Sequence, residues 1–159
     1  MKTLNKSCPY RVATVDSCAE SGCLVQFNAN SNLIILKGER VRDVFLNIQN
    51  LKNTGIKAAD YILIKSNNSV FKFFLLEMSV NLHKPSVLKS KFENSLDHLD
   101  KIICCEQEQI NRFEVKLIVA FKKVSNSSQF QVIFRSTSIK FKGKNLVLRN
   151  VRCNGHLEI

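Results

Sequence analysis

Tryptophan is absent from this 159-residue chain, and only two prolines (Pro9 and Pro85) and five glycines interrupt it. So few turn-makers exclude a proline-rich spacer, a collagen-like repeat and a Gly/Ser linker, which leaves 1–159 as a single domain. No apolar run reaches the roughly 18–20 residues that a bilayer-spanning helix requires. The N-terminal stretch "MKTLNKSCPYRVATVDSC" lacks the apolar block of a secretory signal, so a cytoplasmic location is expected. There is no glycine-rich phosphate loop, no dinucleotide fingerprint and no nucleophile elbow. The histidines, His83, His98 and His156, fall in no recognisable triad context.

Acid is missing from a whole segment. Between Lys122 and Arg152 stand Lys122, Lys123, Arg135, Lys140, Lys142, Lys144, Arg149 and Arg152, with no aspartate or glutamate. The chain carries net charge +11, and this one-sided portion of it attracts a polyanion, nucleic acid being the commonest. An acidic protein partner fits the same charge. Six cysteines are present, but Cys18-x4-Cys23 and Cys153-x2-His156 lack the paired spacing of a zinc ribbon or finger. No zinc is therefore expected, and free, mostly buried thiols are. Cys104–Cys105 close a predicted helix, where the dipole raises a thiol pKa and favours packing over nucleophilic chemistry.

What is present is apolar periodicity. "CLVQFNA" and "NLIILKG" read as strands around a hairpin turn at Asn30-Ser31-Asn32, and "RDVFLNI" as a third strand after "GER". "DYILIKS" and "VFKFFLLEMSV" read as a second hairpin around Asn67-Asn68-Ser69. In "KPSVLKSKFENSLDHLDKIICC", Leu88, Phe92, Leu96, Leu99 and Ile103 recur at helical steps, with Pro85 in the first turn. A shorter helical continuation through "EQEQIN" is expected. Strands resume at "FEVKLIVAF", apolar enough for a central strand, then "QFQVIFRS", "SIKFKG" and "NLVLRNV". A crossover helix between residues 70–80 and 114–121 makes those two strands parallel. The fold class is α/β, or α+β with a mixed sheet. Eleven phenylalanines chiefly supply the core, with base stacking as the alternative use.

One strand carries a charge where a core strand should not. Alternation places residues 71, 73, 75, 77 and 79 on one face, so Glu77 and Ser79 point the same way about 7 Å apart. A hairpin centred near 67.5 or 68.5 sets Asp60 opposite residues 75–77. Two carboxylates meeting there are suited to a hard divalent cation such as Mg²⁺. The plainer alternative is that Asp60 starts one strand and Glu77 ends another.

The run "AADYILIKSNNSVFKFFLLEMSVNLHKPSVLKSKFENSLDHL" resembles the core of the PD-(D/E)xK nuclease superfamily. In that family a strand bearing Asp, a turn, a strand ending in Glu-x-Lys and an amphipathic helix follow one another. The likeness spans Ala58 to Ile103, plus the strand "KLIVAF". It implies a restriction-endonuclease-like mixed sheet with a nuclease-like core at about 58–121 and a basic strand region at 122–159. It further implies that Asp60 and Glu77 ligate Mg²⁺ or Mn²⁺ for hydrolysis of DNA or RNA phosphodiesters, and that a homodimer is an available assembly. The sequence departs from the family at Ser79, which occupies the lysine position and argues for impaired or lost activity. Some members take that lysine from a neighbouring element; among Lys84, Lys89 and Lys91 on the helix, Lys91 is favoured as its substitute. The alternative reading is an inactive nucleic-acid-binding or protein-interaction module, such as an accessory or inhibitor subunit, on the same fold.

Overall fold

The computed structural model describes residues 17–27, 33–51, 55–67, 70–81, 84–105, 112–123, 138–157 and 159. Its strands are β1 (Cys18–Glu20), β2 (Cys23–Phe27), β3 (Leu33–Lys37), β4 (Tyr61–Asn67), β5 (Val70–Asn81), β6 (Phe113–Lys123), β7 (Ile139–Phe141), β8 (Lys144–Leu146), β9 (Leu148–Arg152) and β10 (His156–Leu157). Helix α1 (Gly38–Ile48) lies between β3 and β4, and α2 (Pro85–Cys105) between β5 and β6. The architecture is mixed α/β.

A five-stranded sheet in the order β3-β4-β5-β6-β9 organises the rest. β3, β4 and β5 run antiparallel in sequence; α2 then returns the chain so that β6 lies parallel to β5, and β9 parallel to β6. Strand alternation divides this sheet between two cores. On one face Phe73, Leu75, Leu117 and Val119 pack against Leu88, Phe92, Leu96 and Leu99 of α2 and Val41 of α1. On the other, Phe74, Leu76, Met78, Ile118 and Ala120 pack against Cys18, Val25 and Leu157 of the small sheet β1-β2-β10. β6 is thus covered on both faces, as its continuous apolar run requires.

Four expectations need correction. "RDVFLNI" belongs to α1 rather than to a strand: Val41, Val44 and Phe45 recur at helical spacing and pack on the core, while Asp43 faces solvent. β2 and β3 form no hairpin, because β2 pairs with β1 and β10 while β3 pairs with β4. "NLVLRNV" is two strands divided at Val147, β8 closing a hairpin on β7 and β9 joining the main sheet. Finally, Cys23 and Cys153 are not free thiols but a disulfide, with Cα atoms 5.0 Å apart. Parallel pairing of β10 with β2 brings them together, and the Asn154 N–H donates to the Leu24 carbonyl at 2.7 Å beside them. Cys18, Cys104 and Cys105 are free, and burial pushes the Cys18 thiol up to about 12. "EQEQIN", "QFQVIFRS" and the Asn30-Ser31-Asn32 turn lie outside the described residues.

Gly38 fixes how α1 meets β4. Its N–H donates to the Asp60 carbonyl at 2.8 Å, and a Cβ added there would stand 1.8 Å from the Ala59 carbonyl oxygen. Backbone cannot yield as a flexible side chain does, so Gly38→Ala forces β4 and α1 apart. Urea denaturation of Gly38→Ala should show a loss of about 2–3 kcal/mol in unfolding free energy.

Candidate active site

The β4–β5 hairpin pairs Tyr61 with Leu76 and Asn67 with Val70, so the register sets Asp60 across from Glu77. The two carboxylates meet where β4 begins and β5 approaches its end. Asp60 Oδ2 accepts the Met78 N–H at 2.7 Å, which locks its side chain across the hairpin. Glu77 belongs to the alternating face that carries Phe73 and Leu75, so it points toward α2 and is wholly buried. There Lys91 reaches down from α2. Its ammonium donates directly to Glu77 Oε1 and stands 3.8 Å from Asp60 Oδ1. The Lys91 stem is largely covered while its head completes a carboxylate–ammonium–carboxylate cluster.

Three residues predicted as catalytic therefore share one point, although they come from β5, α2 and the loop before β4. Of the other helix lysines, Lys84 is exposed and Lys89 pairs with Glu93 at 3.8 Å on the solvent face. Ser79 lies two positions beyond Glu77 on the same face and is half-buried.

Burial of charge dominates the electrostatics. Desolvation, and then the neighbouring Asp60 carboxylate, push the Glu77 carboxyl up to about 7, against the opposing pull of Lys91 and the Asp60 backbone N–H. Asp60 is also raised, first by desolvation and then by Glu20 and Glu39, while the Met78 N–H and Lys91 lower it. Asp60 and Lys91 open into a cleft of about 500 Å³ that is also lined by Lys37, Arg42, Lys57, Glu20 and Glu39, while Glu77 is buried behind them.

The sequence reading missed the residues that hold the loop before β4 in place. Ser95 Oγ accepts the Ala59 N–H at 2.7 Å and donates to the Lys91 carbonyl at 2.8 Å, while Asn94 Nδ2 donates to the Lys57 carbonyl at 2.8 Å. Lys91, Asn94, Ser95 and His98 follow one another at three- and four-residue steps, a polar stripe beside the apolar one. Ser95 is buried in mid-helix, and its backbone partners are set by the fold and not by any local pattern. Lys37 and Arg42 went unnoticed because they fell in the predicted strands "NLIILKG" and "RDVFLNI", and Glu39 because it stood between them. His98 is a core residue: its ring lies 4.6 Å from Phe45, and burial, then Arg42, lower it to about 4.

The basic residues of the C-terminal third do not form one surface. Lys142, Lys144 and Arg149 line a separate groove, whereas Lys122 and Arg152 sit near the end of the sheet that bears Glu77. Lys140 is exposed on the β7–β8 hairpin; Arg135 and the Lys123 side chain lie outside the described residues. Among the described residues no three His, Cys, Asp or Glu side chains form a metal-holding group, so any ion here relies on two carboxylates. Mg²⁺ is commonly held by one or two carboxylates with water and substrate phosphate completing its shell, and Asp60 with Glu77 fits that donor set. No helix among the described residues is long and apolar enough to cross a membrane. No protein-family profile, curated protein or solved structure matches this chain.

The two shifted groups oppose each other in pH. Glu77 is raised when folded, so its contribution is full below the unfolded carboxyl value and is lost as pH rises through about 7. His98 is lowered when folded, so its contribution is full above the ordinary imidazole value and is lost as pH falls toward about 4. Between pH 4.5 and 6.5 the slopes offset one another. Urea titrations across that window should show Glu77→Gln gaining stability with rising pH by about 2–3 kcal/mol, and His98→Leu losing it by a similar amount.

Proposed function

We propose that the protein is a metal-dependent phosphodiesterase acting on nucleic acid, with Asp60, Glu77 and Lys91 as its reacting centre on a restriction-endonuclease-like core. The observation that carries this reading is the position of Lys91: its ammonium contacts Glu77, fourteen residues away in the chain, and stands 3.8 Å from Asp60, although it does not occupy the strand position, Ser79 here, where the family keeps its lysine. An antiparallel hairpin, a crossover helix and a parallel strand in that order also agree with the core that the sequence resembles.

Asp60 and Glu77 would hold Mg²⁺ or Mn²⁺, which when bound polarises a phosphodiester and lowers the pKa of an attacking water. Lys91 keeps a positive charge beside both carboxylates, able to meet the charge that develops on phosphoryl oxygen as the bond to the leaving group breaks. Lys37 and Lys57 line the same cleft and supply cations for flanking phosphates, beside Glu20, Glu39 and an Arg42 that is paired with Asp43 at 2.7 Å. Lys122 and Arg152 extend positive charge along that end of the sheet. The Met78 N–H, by fixing Asp60, keeps the two carboxylates from rotating apart. Burial holds Glu77 near neutrality in its proton affinity, so cation binding and ionisation of Glu77 are coupled.

A second reading rests on the directness of the Lys91–Glu77 contact. With Glu77 wholly buried and already bound to an ammonium, the cluster also suits a structural bridge in a protein that binds nucleic acid without cutting it. The experiment that separates the readings is incubation of plasmid, single-stranded DNA and RNA with the protein in Mg²⁺ or Mn²⁺. The phosphodiesterase reading expects cleavage that Asp60→Asn and Glu77→Gln abolish and Lys91→Met slows by about 10²–10³-fold. Cleavage that survives Glu77→Gln, or none with any substrate in either metal, rejects it.

A further inference from the structure

A second feature lies away from the carboxylates. Phe113 begins β6 and faces Phe141 of β7, their ring centroids 6.2 Å apart and tilted at 59°. Phe73 and then Phe71 continue the aromatic row beneath them, at 6.2 and 6.4 Å. Phe113 and Phe141 are only half-buried, and Lys142 Nζ lies 5.9 and 5.8 Å from their centroids. Asp100 of α2 holds that ammonium at 2.6 Å on the exposed surface.

These rings form one wall of a groove of about 570 Å³. Arg112, Lys116, Lys142, Lys144 and Arg149 line it, with Glu114 as the one acid among its lining residues. Val147, 71% exposed, stands at its rim. The volume is that of a small-ligand site, suited to one or two nucleotides and too small to enclose a duplex. Cations around half-open aromatic faces make the pairing that tracks a phosphate backbone while stacking unpaired bases; in a duplex those base faces are already occupied.

We propose that this groove is a binding site for single-stranded nucleic acid, distinct from the Asp60–Glu77–Lys91 centre. Strand register sets the separation: Phe113 pairs with Phe71 and Val119 with Glu77, six strand positions or about 20 Å apart. The site extends the nucleic-acid reading above but does not depend on cleavage, because none of its residues belongs to the carboxylate cluster. A strand seated here and cut at Asp60 and Glu77 spans both ends of the sheet. Lys142 bridges the aromatic wall and α2 and caps the rings when no base is bound.

The test is fluorescence anisotropy of the full chain with a labelled single strand and with the matching duplex, in EDTA so that no cleavage intervenes. The single strand should bind at least about tenfold more tightly than the duplex. Log Kd against log salt should be linear, and Lys144→Ala and Arg149→Ala should each lower its slope by about 0.7. Phe141→Leu, which keeps apolar volume, should weaken binding by about 5- to 100-fold with the slope unchanged. Thermal melts of the three variants identify any that fail to fold; the two surface substitutions alone suffice if Phe141→Leu does. Equal or tighter duplex binding overturns the proposal, as does unchanged affinity in the folded variants. Displacement of the single strand by polyglutamate as readily as by unlabelled oligonucleotide overturns it in favour of an acidic protein partner. Binding that passes these tests without cleavage in Mg²⁺ or Mn²⁺ leaves the groove standing and removes only the phosphodiesterase reading.

Discussion

A glutamate with no solvent exposure must be neutralised where it stands, and the Lys91 ammonium is what neutralises Glu77. That contact constrains the hairpin and the helix together. β5 has to carry its charge on the face that α2 covers, and α2 has to lie at the height and rotation that put Lys91 above Glu77. The apolar stripe of α2, through Leu88, Phe92, Leu96 and Leu99, presses the helix onto the sheet. The adjoining polar stripe of Lys91, Asn94 and Ser95 then sets its rotation by gripping Glu77 and the loop before β4. Asp60 is held from three sides as a result: its carboxylate by the Met78 N–H, its carbonyl by the Gly38 N–H, and the preceding Ala59 N–H by Ser95.

This arrangement accounts for a second pattern. Residues that meet the solvent cleft around Asp60 come from β1, β3, α1, the loop before β4 and α2, while the C-terminal strands supply a separate cationic groove at the far end of β6. Positive charge is therefore divided between the two ends of the sheet, mixed with Glu20 and Glu39 at the carboxylate end and nearly free of acid in the groove. The disulfide Cys23–Cys153 ties the segment after β9 to β2 on the face opposite the helices, so the layer beneath Leu76 and Met78 is covalently joined to the chain's C-terminal strands.

Those features that depend on local periodicity were legible in the chain itself. The hairpin expected around Asn67-Asn68-Ser69 put Asp60 opposite residues 75–77, and the observed pairing of Tyr61 with Leu76 selects Glu77 among them. The apolar steps of α2 were equally plain, and Lys91 stood out through its place beside Phe92. What could not be read depends on tertiary contact. "GERVRDVFLNI" carries β-branched residues that suit a strand, and only packing of Val41, Val44 and Phe45 against the core selects the helix. The Cys23–Cys153 pair joins residues 130 positions apart through a parallel pairing that no local pattern announces. Ser95 and Gly38 act on backbone groups brought close by the fold, and the division of the basic segment between two ends of the sheet follows from strand order, which charge counting does not see.

Binding of Mn²⁺ followed by electron paramagnetic resonance tests the proposed divalent-cation site at Asp60 and Glu77 without reference to any substrate. One ion should bind per chain, competed by Mg²⁺, weakened by protonation as pH falls below about 7, and lost in Asp60→Asn. Absence of a bound ion in the folded protein, or one that Asp60→Asn leaves in place, would contradict it.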